Sequence, residues 1–468
     1  MMKLRLSSAL TPLVGLLSIV HALDLTVANV DSVKSAAATI AYDMMTYYHG
    51  NETGGTPGLL PGPCADVACY YWWEAGAMFG SLINYWEYTG DDSYNPVVKE
   101  ALAFQRGEDE NYNPRNQSKN MGVDDQDFWA FAAMDAAEAN FPEAGGDIPS
   151  WLTLAQAVFN FQKQLWDNAT CGGGMRWQVY SFNPGYELKN TISNGGNFQL
   201  AARLARYTGN QSYADWAEQM WNWMEQSPLL QVQDNILYVW DNTNADNGCV
   251  DVEHFAWSYN YGTLLMGAAN MYNFTNGAEP WGQRVQQILD GAFFLFFPQE
   301  YGGNIMTEFQ CEPIGANGNC NNDQSSFKAY LSRWLAVTSV LVPSTAAQII
   351  PKLQASAEAA AKQCVGGDNG KQCGRRWYAN GVWDGTKGVG QQMQALAVIG
   401  ATQMTPNIAP KSATTGGTSE SDPDAGNDID TAPEIKFAPL TTGDKAGASI
   451  LTILIVISVV GGGIWIIL

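Results

Sequence analysis

Tyr88-Thr89-Gly90-Asp91-Asp92-Ser93-Tyr94 returns as Tyr207-Thr208-Gly209-Asn210-Gln211-Ser212-Tyr213, and each copy ends one stretch of helical periodicity and opens another. A degenerate copy surrounds Tyr272 to Gly277. Working outward from these turns, the 3.6-residue spacing of apolar positions predicts twelve helices. They lie near 31–48, 74–88, 94–106, 124–139, 149–166, 194–208, 211–225, 259–274, 280–296, 325–340, 344–363 and 388–400. Strand signals are few and short. Twelve helices in six hairpins predict an all-α fold, an (α/α)6 toroid with alternate helices as the inner ring. A chain of 468 residues with 46% hydrophobic residues can fill such a core.

The even-numbered helices open differently from the odd ones. Their first residues are polar, aromatic or glycine-rich: WWEAG at 72–76, GVDDQD at 122–127, TISNGGNF at 191–198, WSYNYG at 257–262, SSFKAYLSRW at 325–334 and GVGQQMQA at 388–395. Taken singly, each is ordinary capping and close packing. If these helices form the inner ring, their N-termini surround one end of the barrel and build a cleft from all six repeats.

In GVDDQDFWAFAAM (122–134), Asp124 stands above Phe128, Phe131 and Ala132, and Asp125 above Trp129, Ala132 and Ala136. Both rows are apolar, so the first turn points two adjacent carboxylates into an enclosed space. Two such groups cannot both ionise easily, and a helix N-terminus favours negative charge, so their environments can separate their pKa values. That separation is what an acid and a nucleophile need. Asp is also a preferred residue at helix starts, so the motif alone does not make a site.

Composition narrows the partners. Asp plus Glu is 46 against 24 Lys plus Arg, a net charge of −22, which repels phosphate backbones and argues against nucleic acid. The 17 Trp, 20 Tyr and 18 Phe are core residues first, although Trp and Tyr on loops are platforms for sugar rings.

Both ends read as processing signals. Residues 1–22, with Lys3 and Arg5 before an apolar run and Val20-His21-Ala22 at the cleavage position, read as a secretory signal peptide. From Ile450 to Leu468 the chain is uncharged and apolar; a transmembrane helix competes with a glycosylphosphatidylinositol (GPI) attachment signal. The small residues and short polar spacer before it, without a basic stop, favour the lipid anchor over the span. Gly443 is the candidate attachment residue and 449–468 the tail to be removed. Residues 402–448, rich in Thr, Ser, Pro, Gly and Asp, read as a flexible stalk, which leaves 23–401 as the folded domain.

The eight cysteines fit secretion. Sequence proximity pairs Cys64 with Cys69, Cys311 with Cys320 and Cys364 with Cys373, and leaves Cys171 with Cys249. Their spacings form no paired CxxC knuckles and the three His are scattered, so no metal is predicted. Asn51, Asn116, Asn168, Asn210 and Asn273 head N-x-S/T sequons, expected on the surface.

VDDQDFWA (123–130), GGGMRWQ (172–178), NTISNGGNFQLAARLARYTGN (190–210), YNYGTLLMGA (259–268) and FKAYLSRW (327–334) together resemble glycoside hydrolase family 76, the α-1,6-mannanases, in order and across about 31–400. The predicted signal peptide, disulfides, stalk and anchor further resemble its fungal GPI-anchored branch. The resemblance implies an (α/α)6 barrel, retention of anomeric configuration and no cofactor, with Asp124 as nucleophile and Asp125 as acid/base. It also implies α-mannoside glycans and GPI-anchored proteins as donors, cell-wall glucan as acceptor, a monomeric enzyme, and hydrolysis of mannan as the alternative outcome. Trp72, Trp73, Trp177, Tyr259, Trp377 and Trp383 are candidates to stack on sugars, and Asn194, Asn260 and Lys328 to bind hydroxyls. Asp127 and Asp135 receive no chemical role.

Two other classes compete. Closely spaced aspartates also suit magnesium in a terpene-type helical barrel, but the sequence offers no matching second acidic cluster, and secretion argues against it. A non-catalytic glycan-binding surface protein would not need the aspartate pair.

Overall fold

The computed structural model describes residues 22–62, 69–313 and 320–427, together with 442–443, 445 and 449–456 in the tail. The signal-peptide reading, Cys64 and most of the apolar tail therefore lie outside the described residues. Contacts divide the chain at Ile429 into a large unit and a small C-terminal one, whose described residues are helical and exposed. Among the described residues no single helix is long and apolar enough to cross a bilayer.

Among the described residues the large unit contains twelve α-helices. They are α1 (Val30–Met45), α2 (Trp72–Thr89), α3 (Asn95–Gln105), α4 (Val123–Ala139), α5 (Trp151–Lys163) and α6 (Thr191–Thr208). There follow α7 (Gln211–Gln226), α8 (Ser258–Phe274), α9 (Trp281–Phe296), α10 (Phe327–Leu341), α11 (Ala346–Lys362) and α12 (Val389–Ala401). Every predicted helix is present, with ends shifted by a few residues. Successive even helices pack on one another, and α12 packs back on α2, so the inner ring closes. Odd helices pack outside it, as α5 does on α4 and α7 on α6. The inner helices are buried around most of their circumference, which explains why α4 and α8 show little amphipathic patterning.

The repeated heptapeptide is the turn that makes each hairpin. Gly90 and Gly209 close α2 and α6 in the left-handed conformation at φ 77° and 72°. The side chain of Asn210 then accepts from the backbone N–H of Ser212 and caps α7. Even helices thus run from the mouth of the barrel to its floor, and odd helices return.

Above the mouth a three-stranded antiparallel sheet pairs Leu188–Asn190 with Asn242–Asn244, and these with Val252–Glu253. Disulfides Cys171–Cys249, Cys311–Cys320 and Cys364–Cys373 have formed as expected. All five sequon asparagines are exposed.

The expected boundary at 401 is not where ordered structure ends. After α12 the chain stays hydrogen-bonded to the barrel as far as Ala425, and the flexible reading of its polar composition does not hold for 402–427.

Candidate active site

The N-termini of α2, α4, α6, α8 and α10 line a cleft of about 550 Å³, within the roughly 300–1,000 Å³ typical of small-molecule sites. Asp124 and Asp125 lie on it in the first turn of α4. The loop that follows α5 fixes that turn: the N–H of Val123 donates to Trp177 O (2.7 Å) and that of Val179 to Met121 O (3.0 Å). Gly122 makes the close approach possible. A Cβ there would stand 2.4 Å from Asp124 Oδ1 and 2.9 Å from Trp177 Nε1. Its own N–H donates to Asp125 Oδ2 at 2.8 Å.

The two carboxylates have different surroundings. Asp124 accepts from the hydroxyl of Ser193 at 3.3 Å and from the indole of Trp177. Burial pushes its pKa up to about 7 despite these bonds. Asp125 is driven well above the carboxylate range, first by burial and then by the charge of Asp124. Two side-chain donors reach Asp124 and one backbone N–H reaches Asp125, so the negative charge of the pair is better held on Asp124. One group is poised as an anion and its neighbour as an acid.

Two further carboxylates, absent from the sequence reading, share the cleft. Asp241 accepts from Asn242 (3.2 Å) and Asn260 (3.2 Å), and burial raises it to about 6. Asp323 accepts from the Trp73 indole and is also raised to about 6 by burial. Lys119, at the rim, is the only cationic side chain among the described lining residues. No group of three or more His, Cys, Asp or Glu side chains among the described residues is placed to hold a metal ion.

Of the aromatic candidates, Trp73, Trp177 and Tyr259 line the cleft with Phe128 and Phe327. Tyr259 and Phe327 form one flat wall, their rings 3.9 Å apart and 2° from parallel. The other candidates have structural work. Trp72 is buried, stacks on Trp129 and donates to Gln105 at 2.8 Å. Trp377 is buried beneath Lys328, whose ammonium stands 3.7 Å from the ring centroid. Lys328, itself inaccessible, pairs with Glu312 at 2.8 Å and donates to Arg375 O at 2.6 Å. Trp383 is partly exposed away from the cleft and donates to Thr386 O.

Asn194 and Asn260 act one layer behind the surface. Asn194 accepts from the Met175 N–H (2.7 Å) and donates to Met175 O (3.0 Å), which clamps the loop carrying Trp177. Asn260 orients Asp241. Neither reaches the cleft, because both side chains are wholly buried. Asp127 is buried against Gly196 and held neutral by burial, and Asp135 lies at the opposite end of the barrel in an ion-pair network.

A closed (α/α)6 ring whose mouth holds adjacent carboxylates between aromatic walls defines a glycosidase-type site. The chain belongs to glycosyl hydrolase family 76, whose family model matches residues 32–414, and it is a glycoside hydrolase. It is 45% identical to the mannan endo-1,6-alpha-mannosidase DCW1 of Saccharomyces cerevisiae over 96% of each chain. The crystal structure of Dfg5 from Chaetomium thermophilum in complex with glucosamine is 40% identical, with a TM-score of 0.79 over 86% of this chain and 97% of that one. An inactive variant of the α-1,6-mannanase GH76A from Salegentibacter sp. HEL1_6, with two consecutive aspartates changed to asparagine and α-1,6-mannotriose bound, has the same fold. It is 19% identical, with a TM-score of 0.61 over 79% of this chain and 99% of that one.

Proposed function

We propose that the protein is a cell-surface retaining α-mannosidase whose natural reaction is transglycosylation, with the mannose core of a GPI-anchored protein as donor and cell-wall glucan as acceptor. The observation that carries the reading is the adjacent pair at the start of α4, where the Ser193 hydroxyl and the Trp177 indole donate to Asp124 and the Gly122 N–H alone donates to Asp125. The carboxylate of Asp124 attacks the anomeric carbon as its bond to the leaving oxygen breaks, and that oxygen takes the proton of Asp125. A β-linked mannosyl ester forms on Asp124. Asp125, now ionised, takes the proton of an incoming hydroxyl, whose oxygen displaces Asp124 and restores the α configuration.

Trp73, Trp177, Tyr259 and Phe327 supply faces for the sugar rings, and Asp241 and Asp323 accept from hydroxyls or from an amino group. The glucosamine complex of the Chaetomium relative accords with so acidic a cleft. The inactive aspartate variant of the bacterial mannanase supports placing the chemistry on an adjacent pair. Secretion by the residue 1–22 signal and lipid attachment near Gly443 would put the enzyme on the outer face of the plasma membrane.

Hydrolysis of α-1,6-mannan is the second reading, favoured by the name of the yeast relative. The soluble domain should be incubated with a GPI-core mannoside and β-glucan oligosaccharides, and the products weighed by mass spectrometry. A mannosylated glucan adduct is expected. Free reducing mannosides alone, under every condition, would leave the hydrolase.

A further inference from the structure

Residues 410–427 read in sequence as part of a flexible polar linker, yet nearly every turn of this segment is held by the barrel. At the floor, Arg206 donates to Pro410 O (2.9 Å) and Lys411 O (3.0 Å). The N–H of Lys411 donates to Glu138 O (2.9 Å) and that of Ala413 to Tyr207 O (2.9 Å). Asn140, just past α4, donates to Gly416 O (2.8 Å) and accepts from the Thr418 N–H (3.0 Å). The chain then turns onto the outer helix α5. There Ser150 donates to Glu420 O (2.5 Å), the N–H of Leu152 donates to Ser419 Oγ (3.1 Å), and Gln156 accepts from the Asp422 N–H (2.8 Å). Asn160 donates to Pro423 O (2.9 Å) and Ala425 O (2.7 Å).

The contacts climb α5 in order. Ser150, Thr153, Gln156 and Asn160 form one stripe at spacings of three and four, and the strap follows it from the first turn to the third. Ten residues of helix rise about 15 Å. Because α5 runs from floor to mouth, the chain that left α12 at the floor is carried back up the flank. It is released next to Ala157 and Asn160, a short distance before the loop that brings Trp177 into the cleft. Amide side chains at 140, 156 and 160 satisfy the strap's peptide groups as a neighbouring strand would, which is why a segment without large apolar residues is ordered.

The strap also consumes tether. Gly443 lies sixteen residues beyond Asn427, a maximal reach of roughly 55 Å, whereas a linker free from Thr402 would reach roughly 140 Å.

We infer that residues 410–427 are a tether guide, which moves the point of suspension from the floor to the mouth-facing half of the flank and shortens the leash, so that the anchored enzyme works on glycans borne at the membrane surface. This rests on the proposed lipid anchoring and deepens the proposed function by restricting the donor to membrane-borne α-mannosides.

The test uses the full-length, lipid-anchored protein in phosphatidylcholine vesicles that also carry a lipid-linked α-1,6-mannoside. Three forms are compared: wild type, a strap-release form with Asn140→Ala, Gln156→Ala and Asn160→Ala, and a form with thirty Gly/Ser residues inserted after Asn427. Effective concentration falls roughly as the −3/2 power of tether length, so the insertion form should turn over the vesicle-borne substrate about fivefold more slowly and the release form, still held at Ala413, about two- to threefold more slowly. All three should cleave a soluble α-1,6-mannoside at rates within about twofold. Hydrogen exchange at Thr418 and Asp422, whose N–H groups donate to Asn140 and Gln156, should be slow in wild type and in the insertion form, and fast only in the release form, while Ala413, held by Tyr207 O, should stay slow in all three. Equal vesicle-borne rates in wild type and the insertion form would overturn the guide, and so would a loss by the release form that is matched on the soluble substrate. Failure of wild type to stay with the vesicles would remove the anchoring beneath it; failure to cleave either mannoside would instead remove the proposed activity.

Discussion

Helix α4 carries acidic side chains at both ends, and the two ends have opposite fates. At the mouth, Asp124 and Asp125 face a cleft that also holds Asp241 and Asp323, with Lys119 the one cation among its described lining residues. At the floor, Asp135 and Glu138 are closed in by guanidinium groups: Arg203 lies 2.7 Å from each, Arg206 3.0 Å from Glu138, and Arg333 also binds Asp135. Partners, more than burial, separate a structural carboxylate from a chemical one. A buried acid bound by a fixed cation holds helices together, whereas a buried acid facing other acids has its pKa raised and is free to trade a proton with a substrate.

Mutations at the two ends should therefore separate activity from stability. The largest effect belongs to Asp124→Asn, which removes the covalent route and should lower kcat/KM for an α-1,6-mannoside by at least on the order of 10⁴-fold, with the melting temperature unchanged or raised. Asp125→Asn should cost about 10²–10⁴-fold with a poor leaving group and much less with an activated aryl mannoside. A uniform loss across leaving groups would show that Asp125 does not supply the proton.

At the floor the signs reverse. Arg203→Ala leaves Asp135 and Glu138 buried beside a lost partner and should destabilise the fold by about 3–5 kcal/mol in denaturant titration. Its kcat on the remaining folded protein should stay near wild type. A large kcat loss without a stability loss would erase the distinction between the ends.

The smallest effect is a tilt of stability with pH. Folded Asp124 lies at about 7 and Asp241 and Asp323 at about 6, against about 3.9 for an unfolded Asp. Carboxyls with raised folded pKa values stabilise the fold fully below about pH 4, and that contribution is lost as pH rises through 6 to 7. Thermal melts of the unliganded domain should thus fall between pH 5 and 8, and Asp241→Asn should flatten the slope. A slope unchanged by Asp241→Asn would mean that Asp241 does not hold its proton in the fold.

The ring itself was legible because helix periodicity and caps are local: the heptapeptide copies at Tyr88 and Tyr207 each mark a hairpin turn without reference to the rest of the chain. The pair at Asp124 was legible for the same reason. Asp241 and Asp323 were not, since a sheet edge and a loop before α10 bring them to the mouth, although Asp323-Gln324 repeats the Asp125-Gln126 dipeptide at another inner-helix start. Lys328 and Trp377 were misplaced because residue type reveals nothing of a partner such as Glu312. The strap was misread because its order comes from amides at Asn140, Gln156 and Asn160, more than 260 residues earlier in the chain.

The central claim is that the sugar is held on Asp124 while Asp125 moves the proton. Asp125→Asn protein mixed with an activated α-mannoside should accumulate a mannosyl-enzyme, and peptide mapping by mass spectrometry should place the sugar on Asp124, with added azide releasing a β-configured mannosyl azide. A sugar mapped to Asp125-derived Asn, Asp241, Asp323 or any residue other than Asp124 would contradict the account.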